Sequence, residues 1–377
     1  MRTVNEYLDR IVSELSQLIA AIEEDDDRPW ALATVVGVSG STYRLPGAKQ
    51  LLWADGTSVG TVSGGCLDTD LLRIVDEVIA SDTVRFVTYN LSADDDEIWG
   101  FGLGCNGVTE LLVEPASMAR PLLRELNEAR RVARPIAVVT GLDGPNGGAR
   151  LLTGPDGDHA GTLGSAILDG SAVAAASQAL RHGGHRHLTL EDGNRAFIEV
   201  QVPSPRLLVC GAGHDAIPLV QHGAALGWAV TVVDDRAAYL TEERFPQAAA
   251  LHRGSLQEIT VDDRTDAVVM SHNFLRDTEN LRHLINSPAR YVGMLGPRER
   301  TARIIADLRE EGVQMPKASL ERLYSPAGLD VGAEGPDEIA RAILAEIQAV
   351  TRGRGGGPLR DRKGGIHQGP AGESPVR

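Results

Sequence analysis

The segment from Arg206 to Asp235 constrains the fold more tightly than any other part of the chain. Arg206 to Cys210 is a short apolar strand, Gly211-Ala212-Gly213-His214-Asp215-Ala216 is a G-x-G-x-x-A turn, and Ala216 to Leu226 has helical sequence. Ala229 to Val233 then forms a second strand that runs into Asp234 and Asp235. A glycine turn between strand and helix lets the backbone approach an anion, whose charge meets the amides and positive dipole end of the helix. An acid some 20 residues further on holds a ribose hydroxyl in folds of this kind. The pattern predicts a Rossmann-like unit with Gly211, Gly213, His214 and Asp234 facing the ligand. Strands at Ala267 to Ser271 and Tyr291 to Leu295, each followed by helical sequence, extend it into a doubly wound parallel sheet.

The chain before Pro203-Ser204-Pro205 has a different rhythm. Apolar residues at three- and four-residue steps from Val4 to Ile22 predict an amphipathic helix. Strand-like runs follow at Ala31 to Val38, Gln50 to Ala54, Gly60 to Val62, Val84 to Tyr89, Val108 to Val113, Ile136 to Thr140 and Ala196 to Gln201. Helices are expected at Leu67 to Ala80, Ala119 to Arg131 and Ser165 to Arg181. The fold class is thus α/β, with an N-terminal α+β domain over 1–202 and the Rossmann-like domain over 206–350. Residues 351–377 are rich in Gly, Pro, Arg and Ser, and are expected to be a disordered tail.

Composition excludes several function classes. The 377 residues carry a formal charge of −15, which argues against nucleic acid or an anionic membrane as a general partner. No apolar run approaches the roughly 18 residues of a membrane span. Three cysteines in so long a chain make a disulfide framework improbable and point to the reducing cytoplasm. No G-x-S-x-G, H-E-x-x-H or G-x-x-x-x-G-K-[ST] is present.

Four further segments carry chemistry. Thr61-Val-Ser-Gly-Gly-Cys-Leu-Asp68 places Cys66 after Gly64 and Gly65 at the expected start of a helix, where the dipole stabilises a thiolate. Gly102-Leu-Gly-Cys-Asn-Gly107 holds Cys105 beside Gly104 in a second permissive loop, and the two loops could converge or be two tight turns. Gly40 to Lys49 is a donor-rich loop in which Arg44 and Lys49 could meet a phosphate, or an ordinary solvated turn. Tyr291 to Arg300 is a strand, glycine turn and helix start, with Arg298 just inside an anion-accepting terminus. His272 follows the strand ending at Ser271 and is expected at the carboxyl edge of the sheet. Cys210, inside a strand, reads as a buried thiol, and the cluster His182, His185 and His187 reads as a turn rather than a metal site.

Six motifs in order resemble the XdhC/CoxI family of xanthine dehydrogenase accessory proteins: Gly40 to Ala48, Ser63 to Asp68, Gly102 to Gly107, Val209 to His214, Val232 to Arg236 and Ser325 to Ala333. The resemblance covers roughly residues 5 to 350. It implies a molybdenum-cofactor chaperone that binds molybdopterin, protects it while a cysteine-desulfurase-like partner installs sulfur, and delivers it to a molybdenum hydroxylase apoenzyme. Such a protein performs no turnover of its own, and a homodimer is an allowed assembly. Soft thiolates at Cys66 and Cys105 would then suit the metal, and the glycine loops a pterin phosphate. Two positions depart from the family pattern: Asn106 replaces a glycine, and Ser271-His272-Asn273-Phe274 stands where many members read Thr-His-Asp-His. Two alternatives remain open, an NAD-dependent oxidoreductase built on Gly211, Gly213 and Asp234, and a protein using Cys66 and Cys105 as a reversible thiol pair. NAD or another nucleotide is accordingly a second candidate ligand.

Overall fold

The computed structural model describes residues 14–24, 28–65, 67–90, 106–182 and 184–362. They form two compact units, and the chain passes from one to the other between Pro203 and Ser204.

The N-terminal unit is built from two antiparallel sheets. It opens with α1 (Glu14–Glu24), the described part of the helix expected over Val4 to Ile22. The long strand β1 (Trp30–Ser41) follows, then β2 (Lys49–Trp53), β3 (Ser58–Gly60), α2 (Asp68–Ser81), β4 (Arg85–Asn90) and β5 (Asn106–Pro115). The first sheet has the order β3-β2-β1-β5-β4. Its centre is β1, which is buried from Trp30 to Val36 because neighbouring strands and helices cover both of its faces. Leu71, Ile74, Val75 and Val78 recur at helical spacing on α2 and close one face of the sheet with Ala31, Ala33, Leu111 and Val113.

The second sheet comprises β6 (Ile136–Gly141), β7 (Arg150–Thr153), β8 (His159–Gly161), β9 (Arg186–Thr189) and β10 (Arg195–Gln201), in the order β8-β7-β6-β10-β9. Before it comes α3 (Ala116–Arg131), and within it α4 (Ala166–His182), whose Leu168, Ala172, Ala176 and Ala179 pack onto Ala137, Val139 and Ile198. The two sheets share a small cluster of Val36, Leu112, Leu142 and Phe197. Strands β7, β8 and β9 have no counterpart in the sequence expectations.

The C-terminal unit is a six-stranded parallel sheet. Its elements are β11 (Arg206–Cys210), α5 (Ala216–Ala225), β12 (Ala229–Val233), β13 (Ala250–His252), β14 (Thr265–Val269), α6 (Phe274–Leu284), β15 (Tyr291–Met294), α7 (Arg298–Glu310), α8 (Lys317–Glu321), β16 (Leu323–Tyr324) and α9 (Pro336–Thr351). The order β13-β12-β11-β14-β15-β16 reverses between β11 and β14, the switch point at which doubly wound folds open a crevice. Alternate residues of β11 feed opposite faces. Leu207 and Val209 join Leu219, Val220, Ile343 and Leu344 of α5 and α9, while Leu208 and Cys210 join Leu281, Leu284, Ile304 and Leu308 of α6 and α7.

Of the expected disordered tail over 351–377, Thr351 closes α9 and residues 352–362 are placed after it. Arg354 donates its amide to Ala349 at 2.7 Å, and Leu359–Asp361 forms a single 3-10 turn. Residues 363–377 lie outside the described residues. No helix among the described residues is long and apolar enough to cross a membrane.

Candidate functional site

At the carboxyl edge of the parallel sheet, the glycine turn has the expected strand-to-helix position and an unexpected electrostatic character. Gly211 has φ +131, and a Cβ there would lie 2.6 Å from the Met270 carbonyl oxygen, so no side chain fits where the turn crosses Met270 and Ser271, just beyond β14. The amide of Ala212 donates to Asp234 Oδ2 at 2.7 Å. The amide and Nε of Arg236 both donate to Asp234 Oδ1 at 2.9 Å, and Nη2 donates to Oδ2 at 2.7 Å. Burial opposes charge on Asp234, but the Arg236 and Ala212 donors outweigh it and hold the carboxyl well below the usual range.

This corrects the expectation for Asp234. Both of its oxygens are used inside the protein to bind the turn to the end of β12, so they are not presented to a ribose. A second carboxylate sits at the helix start. Asp215, the N-cap residue of α5, places Oδ2 2.5 Å from His272 Nε2, and a Cβ on Gly213 would lie 2.5 Å from Asp215 Oδ1. An anion brought to this turn would have to displace Asp234 from the Ala212 amide and would meet the charge of Asp215. The Ala212 amide is thus already taken by Asp234, and the Asp215 carboxylate places a negative group at the helix start where the sequence promised only donors. His214 lies exposed on it, and His272 takes a left-handed conformation at φ +56 just beyond β14. A non-glycine residue in that region carries strain, which persists where surrounding contacts fix it.

Beneath His272 lies a buried polar network. Asp277 accepts the Ser271 hydroxyl at 2.5 Å and Arg300 Nη2 at 2.6 Å, and it is 1% exposed. Burial, then the charge of Asp277, pushes the Cys210 thiol far up, which leaves it inert as the sequence implied. Arg298 is the exposed first residue of α7, after Gly296 at φ +115. Sequence reasoning passed over Asp215 and Asp277. The former occupies a variable position of the turn motif, and the latter gave no local signal.

In the N-terminal unit, the structure brings two of the singled-out loops together. A Cβ on Gly64 would stand 3.8 Å from the ring of Tyr43, so the 40–49 loop borders the glycine turn. Gly65 has φ +95 with open space around it, and its amide donates to Ser63 Oγ at 3.0 Å. The turn ends at α2, which begins at Asp68. Cys66 and the whole Gly104 and Cys105 segment lie outside the described residues.

The two cations of the 40–49 region have partners. Arg44 makes a bidentate pair with Glu14 at 2.6 and 2.7 Å. Lys49 is a strand residue, not a loop residue, and its ammonium bonds both Glu199 oxygens at 2.7 Å with side-chain exposures of 6% and 13%. The expectation that Lys49 faces an anion is thus corrected, because its charge is spent between the two sheets. His187 bonds the Val36 carbonyl through Nε2 at 2.7 Å, and His185 accepts the Val200 amide at 3.2 Å, so both imidazoles have structural work. Among the described residues, no cluster of His, Cys, Asp and Glu side chains forms a metal site.

Comparison with known proteins places this architecture. The model for the XdhC Rossmann domain matches residues 207–347, and that for the XdhC and CoxI family matches residues 24–90. A Bacillus subtilis (strain 168) protein, named as a probable subunit of xanthine dehydrogenase, is 31% identical over 88% of this chain and 95% of its own length. The chain belongs to the XdhC and CoxI family. Another relative of this family member is the "Molybdenum cofactor insertion chaperone PaoD" of Escherichia coli (strain K12), 23% identical over 85% of this chain and 82% of that protein. A solved structure from Bacillus halodurans, described as a xanthine dehydrogenase, superposes with a TM-score of 0.74 at 30% identity, covering 91% of this chain and 97% of that one. The first match runs from β11 into α9, and the second from just before β1 through β4. The Tyr43 and Gly64 pair thus falls within the second match, and Asp215 and His272 within the first.

Proposed function

We propose that this XdhC and CoxI family member is a molybdenum-cofactor accessory protein. In this reading it binds molybdopterin, shields it while a cysteine-desulfurase-like donor supplies sulfur, and hands it to a molybdenum hydroxylase apoenzyme. The observation that carries the proposal is the open glycine turn at Gly64 and Gly65, bordered by Tyr43 and leading directly to Cys66. Gly65 has nothing close to where a side chain would be, so backbone can approach a flat heterocycle there, while the Tyr43 ring, 63% exposed, offers a stacking face. A thiolate at Cys66, and a second at Cys105, would supply soft donors to the metal or its sulfur. Arg44 lies on the same loop, and its pairing with the exposed Glu14 is of a kind that exchanges readily with another anion.

The relatives' names support the same reading, one as an insertion chaperone and one as part of a xanthine dehydrogenase. The Ala212 amide, already held by Asp234, and the Asp215 carboxylate at the helix start speak against the oxidoreductase alternative, since both disfavour a pyrophosphate at the turn. A chaperone acts in stoichiometric amounts. Cofactor-loaded protein mixed with a hydroxylase apoenzyme should therefore activate it in proportion to the amount added. Catalytic consumption of a small substrate with NAD, without apoenzyme, would overturn the proposal.

A further inference from the structure

The outer flank of α9 carries an open groove of about 360 Å³ that none of the roles above uses. Its floor is one stripe of the helix, Glu338, Arg341, Ala342 and Ala345, at the three- and four-residue steps that share a face. The facing wall is Val331, Gly332 and Ala333, from the loop that precedes the helix. That loop is tied down on α9: the Leu329 amide donates to the Ala342 carbonyl at 3.2 Å, and the Gly328 amide donates to Glu346 Oε2 at 2.9 Å. The groove is therefore preformed, with alanines on its floor and Val331 66% exposed at its lip. Such a surface gains from an aliphatic side chain laid into it.

The chain itself returns to this groove. At the end of α9, Gly353 at φ +61 donates its amide to Val350 at 3.0 Å and Arg354 donates to Ala349 at 2.7 Å, a reversal that satisfies the last carbonyls. Gly356 then lies against the loop, since a Cβ on it would stand 2.8 Å from Leu329 Cδ2. Leu329 leads directly into the wall of the groove, so the chain after the helix has doubled back to the groove's near end. Leu359–Asp361 makes its single turn there, and Lys363 to Arg377 follow. The first aliphatic residue of that last segment is Ile366. It stands ten residues beyond Gly356, an extended reach of up to about 33 Å. The stripe from Glu338 to Ala345 is only about 10 Å long.

Charge selects the same occupant. Between Arg322 and Arg341 the sequence has four acids, Asp330, Glu334, Asp337 and Glu338, and no Lys or Arg. All four are exposed; Glu338 lines the groove, while Asp330 and Glu334 adjoin its wall residues. The chain after the helix has the opposite sign. Arg352 to Arg377 hold six Lys and Arg against two Asp and Glu, a net +4 in a chain of −15. We infer that the C-terminal segment, Lys363 to Arg377, docks back on α9 of its own chain, with Ile366 in the groove between Val331, Ala342 and Ala345 and Lys363 against the acids of the rim. Tethering places the segment at an effective concentration on the order of millimolar, so weak contacts suffice to hold it. The outer flank of α9 is then a seat for the chain's own end, and another protein reaches it only by displacing that end.

The test uses the full chain and needs no molybdenum, so its outcome is independent of the accessory-protein proposal. Trypsin cuts after Lys363 only when the segment is released, and each rate is referred to that of the matching free peptide. Because cleavage tracks the released fraction, the parent should be cut about tenfold more slowly than Ile366→Asp, and Ile366→Leu should behave as the parent. Ala345→Glu, which obstructs the groove from the helix side, should match Ile366→Asp. If that variant melts early, the two Ile366 variants carry the test, since they alter the segment alone. Hydrogen exchange of the peptide over Val331 to Gly335 should accelerate in Ile366→Asp. Equal cleavage rates in parent and Ile366→Asp would overturn the inference, as would unchanged exchange in the groove, which would show that the segment does not cover it. Protection that grows with protein concentration would also overturn it, by assigning the groove to the segment of a second copy.

Discussion

Asp215 Oδ2 and His272 Nε2 lie 2.5 Å apart, tying the start of α5 to the residue that follows Ser271 across the switch point of the sheet. The bond spans 57 residues of sequence and holds an exposed imidazole in a backbone conformation that few non-glycine residues adopt. Gly213 makes it feasible, because any side chain there would press on the Asp215 carboxylate.

Gly213→Val is therefore expected to break the Asp215 and His272 pair and to lower the stability of the C-terminal unit by about 1–3 kcal/mol, the usual penalty of overpacking. Denaturant unfolding of the variant measures it. An unchanged midpoint would mean that the carboxylate moves aside at no cost, and that the glycine serves some other purpose.

Asp234 gives a pH signature whose sign follows from its depressed pKa. A carboxyl that ionises more easily folded than unfolded stabilises the fold fully above its unfolded value of about 4. That contribution is lost as pH falls below about 4, toward the lower folded value. Asp234→Asn should thus be less stable than the parent by about 2–3 kcal/mol at neutral pH, through loss of charge-assisted bonds to Ala212 and Arg236. The gap should be constant from about pH 6 to 8 and shrink on acidification toward about pH 3. Unfolding curves for both proteins across that range check this, and a gap independent of pH would show that Asp234 is not ionised in the fold.

How much of this was legible in the sequence varied with the reach of the interactions involved. The β11, turn, α5, β12 succession was legible because its apolar runs, glycines and acids are local signals, and the match over 207–347 belongs to the same segment. The strands β7, β8, β9, β13 and β16 were not, since they are two to four residues long and mostly half-exposed, so no periodicity develops. Asp234 was correctly placed at a strand end, but its partner is the Ala212 amide, 22 residues away. Lys49 was misplaced for a related reason. All five residues of β2 are buried, and a lysine there is tolerable only because Glu199, 150 residues on, neutralises it.

That buried pair supports a third prediction. Lys49→Met leaves Glu199 as an uncompensated carboxylate between the two sheets and is expected to cost about 3–5 kcal/mol. Combining it with Glu199→Leu should recover most of the loss, because an apolar pair avoids the desolvation of both charges. A double-mutant cycle on thermal or denaturant unfolding gives the coupling. Similar stability for the single and double variants would mean that water reaches Glu199 when the lysine is gone.

The cysteines separate the structural role of one thiol from the proposed function of the other two. Cys210 is fully buried in β11, and its thiol is pushed far up by that burial and by the nearby charge of Asp277. At about pH 8 it should remain protonated and resist iodoacetamide in the native protein, then react in concentrated guanidinium, where a free thiol titrates near about 8.5. Mass spectrometry of the labelled peptides distinguishes the two conditions, and native labelling of Cys210 would show that β11 opens readily. Cys66, beside the open turn at Gly64 and Gly65, is expected to label in the native state, and bound molybdopterin should protect it. Cys66→Ser and Cys105→Ser should each reduce the pterin that copurifies from cells making the cofactor by about tenfold, the scale of one lost donor group worth about 1.4 kcal/mol. Cys210→Ser should leave the pterin content of the folded protein unchanged. Equal pterin content in all three variants would remove the thiols from the proposed binding chemistry and leave the glycine turn and Tyr43 to account for it.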